Sequence, residues 1–92
     1  MKRKVCCLFD SKLGTFRQPF LVEKIGEAER ALEYWANDPK SDLYRYPDEY
    51  SLYEIGEFDV DKGIMENLGQ HRLIGVARQY RKPAPEQVSL VQ

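Results

Sequence analysis

The residues able to do chemistry in this 92-residue chain are few, and most lack a partner at a useful spacing. His71 is the only histidine and lies between Gln70 and Arg72, whereas nucleophilic catalysis needs a base within hydrogen-bond reach of its nucleophile. Cys6 and Cys7 are adjacent, so on a strand their side chains leave opposite faces and do not readily bridge each other. They read as reduced core thiols. With His71 they show none of the paired spacing that builds a zinc site. Asp59-Val60-Asp61-Lys62-Gly63 opens like a calcium loop, but Lys62 stands among the ligand positions and the twelfth position is Gln70, not Glu. Nothing ties Glu54 to Glu57, or Asp38 to Asp42, as acid and base. The six glycines are scattered singly, so no phosphate cradle forms. The expectation is a protein that is not an enzyme, with no catalytic residue, no metal and no cofactor.

Cations and rings remain. Net charge is −1, unevenly spread: residues 1–24 carry six Lys/Arg and two Asp/Glu, residues 25–69 carry four and twelve, and residues 70–92 carry four and one. Basic ends around an acidic middle fit a nucleic-acid footprint, a head-to-tail contact between subunits, or solvated faces. If the first and last strands lie close, Lys2, Arg3, Lys4, Lys12 and Arg17 converge with Arg72, Arg78, Arg81 and Lys82, with Tyr80 among them. Tyr44, Tyr46 and Tyr53 add rings. Such a set holds single-stranded nucleic acid, cations following the phosphates and rings stacking on bases.

The elements that must position these residues follow from periodicity. One domain is expected from a chain this short, over residues 1–79, with an extended or mobile tail over 80–92 containing Arg81-Lys82-Pro83-Ala84-Pro85. Lys4 to Phe9 is a strand apolar on both sides and therefore central, with Val5, Cys7 and Phe9 on one face and Cys6 and Leu8 on the other. The run is too short for a signal sequence or a membrane span. Thr15 to Val22 is a second strand with Phe16, Phe20 and Val22 in one register, made an edge or bulged by Pro19. Ile25, Ala28, Leu32, Trp35 and Ala36 mark an amphipathic helix that Pro39 stops. A helical turn is expected near Ser41–Tyr44. Tyr50 to Phe58 enters a hairpin at Asp61-Lys62-Gly63, with Leu52 and Phe58 on one face and Tyr53 and Ile55 on the other. Ile64–Leu68 returns antiparallel, Gly69 ends it, and Leu73–Ala77 is a further strand that borders a partner.

The fold expected is α+β, an antiparallel sheet of four or five strands with one amphipathic helix on one face. A strand apolar on both sides needs a second cover, so a homodimer is expected too.

Phe9-Asp10-Ser11-Lys12, Gln18-Pro19-Phe20, Asn37-Asp38-Pro39-Lys40-Ser41 and the run from Tyr46 to Asp59 occur in an order that resembles the small nonstructural protein of gokushoviruses, phages of the Microviridae with circular single-stranded DNA. The resemblance spans residues 5–66 and stops near Leu68. It implies a non-virion, DNA-binding or replication-control protein in the cytoplasm of the infected bacterium, with no membrane association. It assigns no binding residue. The function expected is non-catalytic binding of single-stranded DNA during viral DNA replication or packaging, with a log–log salt slope of roughly −3 to −4 if about four to six phosphates are neutralised. The alternative is an adaptor that binds a phage or host replication or assembly protein through the acidic middle and never touches DNA.

Overall fold

The computed structural model describes residues 1–83. In order, it forms β1 (Lys2–Asp10), β2 (Thr15–Phe16), β3 (Phe20–Val22), α1 (Ile25–Asn37), α2 (Asp42–Arg45), β4 (Tyr50–Asp59), β5 (Ile64–Val76) and α3 (Ala77–Tyr80). The strands make one antiparallel sheet ordered β2-β1-β4-β5, with β3 also pairing β1, and α1 packs on one face: the expected α+β architecture. β1 has strands on both edges, which its two-sided apolar character requires. Cys6 and Leu8 enter the core beneath α1 with Val22, Tyr50 and Leu52, while Val5 and Cys7 are buried on the opposite face.

The helix face is built for close approach. Ala28, Leu32 and Ala36 are fully buried, the two alanines letting α1 settle near the sheet while Leu32 fills the space between. The first turn of α1 is closed by Glu27, whose Oε1 accepts from the Glu23 and Lys24 amides at 2.7 and 3.1 Å. Ser41 caps α2 by accepting from the Leu43 amide at 3.0 Å.

Two turns share one construction. Asp10 Oδ1 accepts from the Lys12 and Leu13 amides, Asp59 Oδ1 accepts from the Asp61 and Lys62 amides, and each turn ends four residues later on a left-handed glycine, Gly14 (φ 70°) or Gly63 (φ 68°).

Register irregularities overturn two expectations of side-chain direction and one of strand division. Leu52 and Phe58 do not share a face: an irregularity at Ile55 between the Cys6↔Glu54 and Val5↔Gly56 pairs leaves Leu52 under α1 and puts Phe58, opposite Arg3, on the other side. Phe16 likewise parts from Phe20 and Val22, because Arg17-Gln18-Pro19 interrupts pairing between β2 and β3. Ile64–Leu68 and Leu73–Ala77 are not separate strands: they lie in one strand that ends at Val76, and Ala77 opens α3. Both arms pair with β4 within β5, and Leu68–His71 leave the ladder between the Gly56↔Asn67 and Glu54↔Arg72 pairs.

The chain does not leave the fold at residue 79. Tyr80 packs against the core above Gly75, where a Cβ would come within 2.5 Å of the Tyr80 ring. Asn37 then ties the following residues to α1, donating to the Tyr80 carbonyl (2.9 Å) and accepting from the Lys82 amide (2.9 Å). The rest of the expected tail, 84–92, lies outside the described residues.

Candidate nucleic-acid interface

The sheet face away from α1 is lined by alternate residues: Arg3, Val5, Cys7 and Phe9 of β1, Phe16 and Leu21 beside them, Ser51, Tyr53 and Phe58 of β4, and Met65, Asn67 and Leu73 of β5. No aspartate or glutamate holds a register position there. Four rings gather at its centre. Phe9 lies 4.8 Å from Phe16 and 6.4 Å from Tyr53, and Phe16 lies 6.0 Å from Tyr53, ring centre to ring centre. His71, carried in by the departure of Leu68–His71 from the ladder, stands edge-on to Phe16 at 5.4 Å and 6.3 Å from Tyr53. Phe16 is 43% exposed and His71 is exposed, so parts of the rings face solvent. Cys7 lies between β2 and β4 on this face, is 2% exposed, and donates its thiol hydrogen to the Arg17 carbonyl at 2.7 Å.

Apart from Lys4 and Arg72, which meet across the Glu54 carboxylate, the cations named from sequence are not brought together. β4 separates β1 from β5, and Lys2 opposes Asp59 at the end of the sheet far from Val76, where α3 begins. Nearly all are occupied. Lys2 lies 3.8 Å from Glu57 and 3.9 Å from Glu66, Arg3 3.4 Å from Glu23, and Lys4 and Arg72 each 3.8 Å from the buried Glu54. Arg17 reaches Asp42 at 3.1 Å and the Tyr50 hydroxyl at 2.7 Å, with its guanidinium over the Tyr50 ring. Arg78 makes a two-pronged contact with Asp48, both bonds 2.8 Å, which holds the Asp48 carboxyl below its usual range. Lys82 pairs with Glu33 at 3.1 Å. Arg81 stacks on Tyr44 at 4.1 Å and donates to its carbonyl, and the Tyr80 hydroxyl meets Glu29 at 3.3 Å. Lys12, exposed in the turn after Phe9, has no ion-pair partner among the described residues.

Sequence reasoning therefore found the cations and missed the ring cluster. Tyr53 is among the rings singled out from sequence, but Phe9 and Phe16 are placed there only as strand residues and His71 only as a histidine without a catalytic or metal-ligating partner. The available signal was the Phe9↔Phe16 pairing implied by a turn at Asp10–Gly14; the position of His71 was not readable, because nothing in Leu68–His71 marks a departure from the ladder.

A cleft of about 750 Å³ opens on the other side of Arg17, between β3, α1 and α2, with Phe20 and Trp35 edge to face at 5.6 Å. Arg17 and Lys40 line it, and so do Glu27 and Asp42. Among the described residues no cluster of three or more metal-ligating side chains occurs, and no helix is long and apolar enough to cross a membrane.

An antiparallel sheet with one helix-covered face and one ring-bearing face defines a small α+β phage protein once the comparison with protein families is added. The family described as Phage ORF5 protein matches residues 3–80, and the chain belongs to that family. The match continues past Leu68, where the resemblance read from sequence ended, and takes in β5 and α3. No curated protein and no solved structure matches the chain.

Proposed function

We propose that this phage protein binds single-stranded DNA, without catalysis, on the open face of its sheet, during genome replication or packaging in the cytoplasm of the infected bacterium and outside the virion. The observation that carries the reading is the cluster of Phe9, Phe16, Tyr53 and His71 on a face with no carboxylate in register. Unpaired bases have two π-faces free to stack, and each base–ring contact contributes about 1 to 3 kcal/mol; a duplex hides those faces. The paired cations shift the expected balance from charge to stacking. With Lys12 unpaired and Arg3 held by an exposed pair of little worth, about one or two phosphates are neutralised, for a log–log salt slope of roughly −1 rather than the −3 to −4 expected from charge alone.

Fluorescence anisotropy with single-stranded and duplex oligonucleotides at two salt concentrations tests this. Single-strand preference with a shallow slope supports it; no single-strand binding at low salt defeats it. The second reading, an adaptor for a phage or host replication or assembly protein, rests on the mixed-charge cleft beside Trp35, the chain's single tryptophan. Absence of oligonucleotide binding would leave that reading standing.

A further inference from the structure

The two edges of the sheet are treated differently. The β2–β3 edge consists of strands of two and three residues broken at Pro19, a blunted edge that resists pairing. β5 spans thirteen residues in two paired arms on either side of Leu68–His71, has no outer strand among the described residues, and leaves Ile64, Met65 and Leu73 at least half exposed.

We propose that β5 is a self-pairing edge through which two copies of this chain join antiparallel across a twofold axis. Self-pairing demands that a strand complement its own reverse, and β5 does. Its register on β4 places Met65 opposite Phe58 and Leu73 opposite Tyr53, both on the open face, and places Glu66 opposite Glu57 and Arg72 opposite Glu54, both on the helix side. Leu68–His71 lie outside the ladder, so Asn67 and Arg72 are successive paired positions; with the axis at Asn67, Met65 then meets Leu73 of the second copy and Glu66 meets Arg72, apolar on apolar and acid on base, each pair on its own face. Both charged side chains are available, 66% and 69% exposed. Two acids or two bases at these positions would set like charges together, and that self-complementarity identifies the occupant as a second copy. His71 is drawn over the open face with Phe16 and Tyr53, away from the pairing line.

A twofold axis of this kind stands perpendicular to the sheet, so both open faces point the same way. The dimer expected from sequence would have covered this face. The edge dimer leaves it free and sets two ring clusters side by side, although the pairing does not depend on whether DNA binds there.

Light scattering at micromolar concentration tests it. The wild type is expected at twice the 10.8 kDa chain mass. Glu66→Arg and Arg72→Glu are each expected at the single-chain mass with unchanged far-ultraviolet circular dichroism, and the double variant Glu66→Arg/Arg72→Glu is expected to return to the dimer. A wild type of single-chain mass, or single reversals that stay dimeric, would overturn the proposal. Hydrogen exchange on the wild type avoids dependence on variant folding. The amides within residues 64–67 and 72–76 that point away from β4 should lose protection on dilution to single-chain mass, and protection of these amides that is independent of concentration would equally overturn it.

Discussion

On the α1 side of the sheet, Cys6, Leu8, Tyr50 and Leu52 meet a helix whose Ala28, Leu32 and Ala36 are shut off from water; on the other side, Phe9, Phe16, Tyr53 and His71 meet chiefly one another. Both surfaces are apolar and both grow from β1 and β4, so composition does not separate them. Small residues do. The alanines of α1 bring a second layer within packing distance, and dispersion and burial are then realised inside the chain. The open face carries large rings with no layer above them, so its apolar surface remains available to a ligand with flat, apolar faces. What reads as one two-sided strand is a stability surface on one side and a recognition surface on the other.

The largest expected effect lies on the covered side. Leu52→Ala removes a fully buried side chain from beneath α1 and should cost about 2 to 5 kcal/mol of unfolding free energy, read from the urea midpoint. Oligonucleotide affinity measured well below that midpoint should not change. A loss under about 1 kcal/mol would mean that the α1 side is not the structural one.

Phe16→Ala reverses the pattern. Part of its ring already faces water, so the stability cost should stay under about 1.5 kcal/mol. Single-strand affinity should fall by the worth of one stacked base, about 1 to 3 kcal/mol or roughly 5- to 150-fold. His71→Ala should act the same way. A Phe16→Ala protein that is destabilised like Leu52→Ala, with unchanged affinity, would erase the distinction between the faces.

The covered face was more legible than the open one, for a physical reason. Ile25, Ala28, Leu32, Trp35 and Ala36 repeat at a helical period, and Pro39 must end that period, so α1 could be read within a residue of its observed limits. Alternation in β1 was equally faithful because all nine of its residues pair with β4 and no residue of β1 falls out of that ladder. The alternation failed at Ile55, at Arg17-Gln18-Pro19 and at Leu68–His71, where residues fall out of the ladder. A single inserted residue exchanges the faces of everything beyond it, and no residue type announces it. The ring cluster depends on two of these departures, which set the face of Phe16 and bring in His71. The cations were visible as residues, but their neutralisation by Glu54, Asp48, Asp42 and Glu33 comes from contacts distant in sequence.

The adjacent thiols offer the finest probe of the comparison, one on each face. Burial, with a smaller contribution from Glu54, pushes Cys6 up to about 11, and burial raises Cys7 as well. In the unfolded chain a thiol releases its proton near its ordinary value, while folded Cys6 keeps it to about 11. Between about pH 9 and 11 the unfolded state therefore binds fewer protons than the folded one, and stability falls as pH rises; below that window the term vanishes. Urea midpoints across the window should drop less steeply for Cys6→Ala than for the wild type, and equal slopes would exclude the thiol as their source. Both thiols should be inert to a thiol-specific reagent near neutrality. Their difference should surface only when a face is opened. Phe16→Ala removes a ring beside Cys7 and should speed its modification while leaving Cys6, sealed beneath α1, unreactive. If the variant exposes both thiols together, the rings are part of the common core and the open face loses its independence.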